Sequence, residues 1–143
     1  MTQAALSAAL KPALPFIKRD PDGYGYVEGR RCRDCGAVML EARLACPACG
    51  GRAGFDLFRG AETGRLHAYS VVHRSFPGIP VPFVSAVVDL DDGLTLKGNL
   101  IGAGFDPGAF APGTRVRLAF GDALGRTDKD GAAYIAYFFE PAA

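Results

Sequence analysis

The sequence predicts a mostly β chain: a small four-cysteine ribbon braced by a metal, followed by a five-stranded barrel and preceded by a short helix. Three observations carry that expectation. All four cysteines of the 143 residues lie between positions 32 and 49. Glycine and proline are frequent, at 19 and 10 residues, which favours many short strands over long helices. From Phe55 onward, apolar residues recur with the two-residue period of strands, broken by turn-forming clusters.

The cysteines are spaced C-x2-C, ten residues, C-x2-C within "RCRDCGAVMLEARLACPACGG". Each C-x2-C turns tightly enough to aim two thiolates at one point, and the intervening loop brings the second pair round to close a tetrahedron. Gly36 and Gly50, just after each pair, supply the positive φ that such a knuckle needs. Cys32, Cys35, Cys46 and Cys49 are therefore the expected ligands of a structural zinc. Two disulfides would need an oxidising compartment, and "MTQAALSAALKPALPFIKRD" has no basic start followed by an apolar run of signal-peptide length. Iron competes, because "CRDCG" and "CPACG" look like rubredoxin knuckles, but the ten-residue gap is short and lacks shielding aromatics. A redox CxxC would need one pair only. Zinc is favoured.

Three segments are expected: an N-terminal helical or extended stretch (1–27), the rubredoxin-like zinc ribbon (28–54) and the barrel (55–143). "LSAAL" reads as a short helix that Pro12 and Pro15 keep from running far, so residues 1–23 are expected at the periphery. A ribbon of about 25 residues is too small to fold without its metal.

Five barrel strands follow. "RLHAYSVVHR" (65–74) alternates, with Leu66, Ala68 and Val72 on one side and His67, Tyr69, Val71 and His73 on the other. "PFVSAVVDL" (82–90) and "LTLKGNLI" (94–101) flank "DLDDG", whose Asp-Gly step marks a hairpin. In the second of these, Leu94, Leu96 and Leu100 face in. "RVRLAFG" (115–121) buries Val116, Leu118 and Phe120, and "AAYIAYFFE" (132–140) is apolar on both faces. Between the third and fourth strands, Asp106 and Pro107 offer the start of one helical turn. Five strands with a central hairpin suit an OB-fold barrel.

The composition excludes several functions. A net charge of +1 gives no field towards nucleic acid or an anionic membrane, and no apolar run approaches the about 18 residues that span a bilayer. The expected location is cytoplasmic. No cysteine lies outside the ribbon, and no G-x-S-x-G elbow, P-loop or H-E-x-x-H is present. A thiolate closed into a four-cysteine site leaves no position open for substrate, so the chain reads as a module that assists chemistry. His67 and His73 read as surface imidazoles, since the sequence places no carboxylate beside them. Asp89, Asp91 and Asp92 read as turn residues. "SFPGIPVPF" (75–83) is apolar and stiffened by three prolines, so Phe76, Ile79 and Phe83 either meet a partner or an acyl chain at small entropic cost or pack under the barrel. Arg30, Arg31 and Arg33 are candidates for a partner or a phosphorylated ligand, with solvated arginines, or ones that pair with a partner's acidic residues, as the simpler reading. A single-stranded nucleic-acid module is the alternative, set back by the near-neutral barrel and few exposed aromatics.

The order of ribbon then barrel, with "YVEGRRCRDCG", "CPACG", "GAETGRLHAYSVVHR", "PFVSAVVDLDDG" and "LTLKGNL", resembles the acyl-CoA-associated zinc-ribbon/OB-fold family over nearly the whole chain. The chain departs from the family where "EARLA" replaces a proline-bearing approach to the second cysteine pair, and where Phe58 stands near a customary tryptophan. The resemblance implies a non-catalytic subunit of a thiolase-fold enzyme acting on CoA thioesters: a thiolase, acyltransferase or aldolase. In such a hetero-oligomer the partner supplies the catalytic residues, while the small chain scaffolds the assembly and helps form the CoA route.

Overall fold

A computed structural model of the chain describes residues 11–102, 104–106 and 108–142, apart from the side chains of 124 and 125. Ten strands run in chain order: β1 (Lys11–Pro12), β2 (Ile17–Arg19), β3 (Gly25–Cys32), β4 (Val38–Met39), β5 (Phe55–Arg59), β6 (Thr63–Val72), β7 (Phe83–Leu90), β8 (Thr95–Leu100), β9 (Arg115–Thr127) and β10 (Ala133–Pro141). No described residue is helical. The expected N-terminal helix lies outside the described residues. At Asp106 there is a single turn: its carboxylate accepts from the Gly108 N–H at 2.9 Å and its carbonyl from Ala109 at 3.1 Å.

β6, β7, β8, β10 and β9 close into a five-stranded barrel, because β9 pairs with both β10 and β6. β8 meets β10 in parallel through Phe139 and Leu100, while the other barrel pairs are antiparallel. This is the OB-type barrel that the strand pattern predicts. Alternation places Leu94, Leu96, Leu100, Val116, Ile135 and Phe139 inside, and one face of β7 buries Val84, Ala86 and Val88. β7 and β8 are joined by Asp91-Asp92-Gly93, with Gly93 at φ 97°, the left-handed position that a three-residue hairpin loop demands.

Two expectations change. Segment 11–24 is not peripheral: β1 lies parallel to β10, β2 pairs with β3, and Ile17 is 1% exposed in the same core cluster as the barrel leucines. Its short strands exist because distant β10 and neighbouring β3, across a tight turn, supply hydrogen-bond partners. Second, β6 does not keep one alternation. A bulge between Leu66 and Ala68 inserts His67, so Tyr69 and Val71 pack on the core while Ala68 faces solvent. An added residue flips every later side chain.

The ribbon forms a second sheet, with β3 at its centre flanked by β2, β4 and β5. β5 is a strand that the alternation pattern did not single out. The ribbon is seated on the barrel where Gly29 of β3 comes against Phe58 and the barrel's Leu94. Val27, one residue pair nearer the start of β3, is buried in the barrel core, and its carbonyl accepts from Gly60.

Candidate metal centre and docking end

The two knuckles repeat one backbone design. Gly36 N–H donates to the Cys32 carbonyl at 2.9 Å and Gly50 N–H to the Cys46 carbonyl at 2.8 Å. Both glycines are left-handed, at φ 79° and 76°. Amide groups then point at sulfur: Asp34 N–H to Cys32 Sγ at 3.4 Å, Ala48 N–H to Cys46 at 3.3 Å and Gly51 N–H to Cys49 at 3.3 Å. The four Sγ atoms lie within 4.8 Å of one another, with Cys32–Cys49 at 3.8 Å and Cys35–Cys46 at 3.7 Å.

Those spacings fit a metal. A regular tetrahedron with about 2.3 Å metal–sulfur bonds has edges of about 3.8 Å, whereas a disulfide needs about 2 Å. The protonation balance points the same way. Cys46 is pulled down to about 7, first by the Cys49 N–H and then, against burial, by the Ala48 N–H and the Cys32 and Cys35 thiols. Cys49 goes up to about 12: the Gly51 N–H favours its thiolate, but burial and the three other sulfurs outweigh that help. Four thiolates coexist here only around a cation. Such a cation would be structural, tying β3 and β4 to the loop that carries the second pair.

The three arginines singled out from the sequence sit on or beside β3, and two of them are drawn into ribbon contacts. Arg31 lies 5.1 Å over the Phe58 ring and reaches the Gly36 carbonyl; Arg33 pairs with Asp56 at 2.8 Å. Arg30 lines a separate cavity with Phe16 and Leu40, between the N-terminal segment and the ribbon.

Phe76, Ile79 and Phe83 belong to the other end of the molecule. The β6–β7 loop turns at Phe76–Ile79, with Gly78 at φ 87°, and leaves Phe76 80% exposed. It faces the β8–β9 loop, which is anchored where the Phe110 N–H meets the Tyr69 hydroxyl. Five of the eight most exposed large apolar side chains among the described residues lie on these two loops: Phe76, Ile79, Val81, Ile101 and Phe105. Monomeric surfaces rarely concentrate apolar side chains this way unless something covers them. Residues 70–88 and 93–105 contain no aspartate or glutamate, and their charged side chains are Arg74 and Lys97. None of the three arginines lines the cavity beside Phe83.

The structure gives His67 the carboxylate that the sequence did not. Its Nδ1 lies 2.8 Å from Asp89, whose other oxygen accepts from Thr95. The His67 contact, then the Thr95 hydroxyl, hold Asp89 below the usual carboxylate range. Asp91 and Asp92 do turn and bracing work, as expected: Asp91 takes a bidentate pair from Arg115 at 2.7 and 3.0 Å, and Asp92 accepts from the Ala61 and Leu94 amides.

Fold and site together define a zinc-ribbon/OB-barrel protein, with the ribbon sheet packed against the barrel through Val27, Gly29 and Phe58. Residues 25–55 match the rubredoxin-like zinc ribbon domain of ChsH2, and residues 60–121 match its C-terminal OB-fold domain. The benzoylsuccinyl-CoA thiolase subunit BbsA of Thauera aromatica is 30% identical over 135 residues, covering 90% of each chain. A DUF35 domain-containing scaffold protein of Methanothermobacter thermautotrophicus is 28% identical, over 79% of this chain and 84% of its own. Among solved structures, an Ltp2-ChsH2(DUF35) aldolase chain superimposes with a TM-score of 0.64 at 28% identity, over 82% of this chain and 86% of that one. The chain belongs to the ChsH2/DUF35 family of zinc-ribbon and OB-fold proteins.

Proposed function

We propose that the chain is a non-catalytic subunit that docks on a thiolase-fold enzyme acting on CoA thioesters, with Cys32, Cys35, Cys46 and Cys49 holding one structural zinc. The observation that carries this reading is the apolar, proline-stiffened loop end built around Phe76, Ile79 and Phe83. Anchors of this kind, preorganised and exposed before binding, lose little entropy on docking. The absence of any cysteine outside the ribbon agrees, since a thiolase-type reaction needs a thiol nucleophile that this sequence does not spare. The relatives' names support the class: one is a thiolase subunit, one a scaffold and one part of an aldolase. The zinc would fix the ribbon's shape and take no part in the reaction. Arg31 and Arg33 brace the ribbon, and with Arg30 they offer guanidinium groups to the partner or its CoA ligand.

The test separates docking from chemistry. The zinc-loaded chain alone should show no thiolysis, condensation or retro-aldol turnover of acyl-CoA, and F76S should lose the partner while melting like the parent. Turnover by the isolated chain would defeat the proposal. So would an F76S variant that still co-purifies with the partner at full stoichiometry.

A further inference from the structure

On the outside of the barrel, β8 and β10 part company after their single pair at Phe139 and Leu100, and the Tyr137 hydroxyl donates to the Lys97 carbonyl across the gap. Two cavities open along this seam. One, of about 260 Å³, is walled by Pro82, Phe83, Ile101 and Phe105. The other, of about 250 Å³, carries Lys97 and Arg126. Asn99 and Phe138 line both. Each alone falls short of the about 300 Å³ of ordinary ligand pockets, and the pair together falls inside that range.

Their chemistry differs in a useful way. The first cavity is apolar apart from the Asn99 amide and backbone. In the second, the Lys97 ammonium has no hydrogen-bond or ion-pair partner among the described residues, and Arg126 gives only its Nε to the Ala123 carbonyl at 3.2 Å. Among the described residues, no carboxylate lines either cavity. Arg33, Arg43, Arg59, Arg115 and Arg117, by contrast, each have a carboxylate partner. Two unneutralised cations beside an apolar slot are complementary to a molecule with one apolar and one anionic end.

We propose that the two cavities form one groove that binds an amphipathic anion. Its aromatic or branched apolar group sits between Phe83, Ile101 and Phe105, and its carboxylate or phosphate lies between Lys97 and Arg126. Asn99 stands at the joint, where its amide can meet a carbonyl or ether oxygen. Guanidinium accepts either anion in bidentate fashion, so carboxylate and phosphate share this chemistry. The groove borders the docking loops, so a partner seated on Phe76 and Ile79 would form its roof. The site does not depend on that partner, and its test uses the full chain alone.

The experiment is an amide NMR titration of the zinc-loaded full chain with 4-phenylbutyrate, phenyl phosphate and the neutral 4-phenyl-1-butanol. Small probes of this size should bind in the millimolar range. Shifts should centre on Asn99, Ile101 and Phe138, with the better of the two anions binding about fivefold tighter than the alcohol. Whichever anion wins identifies the headgroup. K97Q/R126Q changes two exposed side chains, and should bring that anion to the alcohol's affinity while leaving the alcohol unchanged. I101S should weaken all three probes. The inference is overturned if neither anion binds tighter than the alcohol, if K97Q/R126Q leaves the preference intact, if the shifts fall elsewhere, or if no probe binds at about 10 mM.

Discussion

Replacing Gly29 by alanine tests how the ribbon is seated on the barrel. A Cβ at this position would lie 2.4 and 2.8 Å from Cζ and Cε1 of Phe58 and 2.9 Å from Cδ1 of Leu94. Ordinary carbon contacts begin near about 3.5 Å, so the ring would have to retreat by about 1 Å. It has little room to do so, because the Arg31 guanidinium lies over its face and Leu94 is fully buried. Overpacking of this kind costs about 1–3 kcal/mol. Gly29 is not in the left-handed region, so alanine also returns about 0.4–1 kcal/mol by restricting the unfolded chain. The net expectation is a loss of about 1–2 kcal/mol, or about 3–10 °C in Tm for a chain of this size. Thermal unfolding of the zinc-loaded protein measures it. F58A supplies the control: with the ring gone, most of the clash is gone, and adding G29A should cost little more. A G29A protein that melts at or above the parent, or a penalty undiminished in the F58A background, would refute the seating described here.

Other predictions follow from the same geometry. C46S should lose the metal, and hydrogen exchange should accelerate across Cys32–Phe55 while β7 and β8 stay protected, since the barrel core does not include the second knuckle. The Arg115 pair, then the Thr63 hydroxyl, lower Asp91 from 3.8 to about 2. A depressed carboxyl adds stability that is complete above pH 4 and is lost as pH falls through about 2. D91N should therefore be less stable than the parent at neutral pH and lose less between about pH 4 and 2, and added salt should shrink the difference because the pair is exposed. An acid profile of D91N that parallels the parent would contradict this assignment.

Much of this structure was legible in the sequence, for identifiable reasons. The metal cluster was readable because C-x2-C knuckles are local: four sulfurs and two left-handed glycines follow from spacing alone. The strands of the barrel were readable because Leu94, Leu96 and Leu100, or Val116 and Leu118, keep a strict period of two. The bulge at His67 was not, since one inserted residue leaves composition unchanged and only the partner strand reveals it. β1 and β2 were hidden for a related reason. They are two and three residues long and lie among prolines; β1 owes its existence to β10 far along the chain, and β2 to a hairpin with β3 that its three residues are too few to announce. The His67–Asp89 pair and the groove shared by Lys97 and Arg126 need cross-strand register, which no local pattern carries. The apolar loop was visible as residues, but its pairing with Ile101 and Phe105 came only from closing the barrel.

The central claim is that this chain works by docking on a thiolase-fold partner. Affinity capture of the tagged protein from its native cells, with mass spectrometry of what co-purifies near stoichiometry, tests it most directly. A thiolase-fold chain should be captured by the parent and lost with F76S. Recovery instead of nucleic acid or ribosomal proteins that persist through a salt wash, with no thiolase-fold chain in either sample, would contradict it.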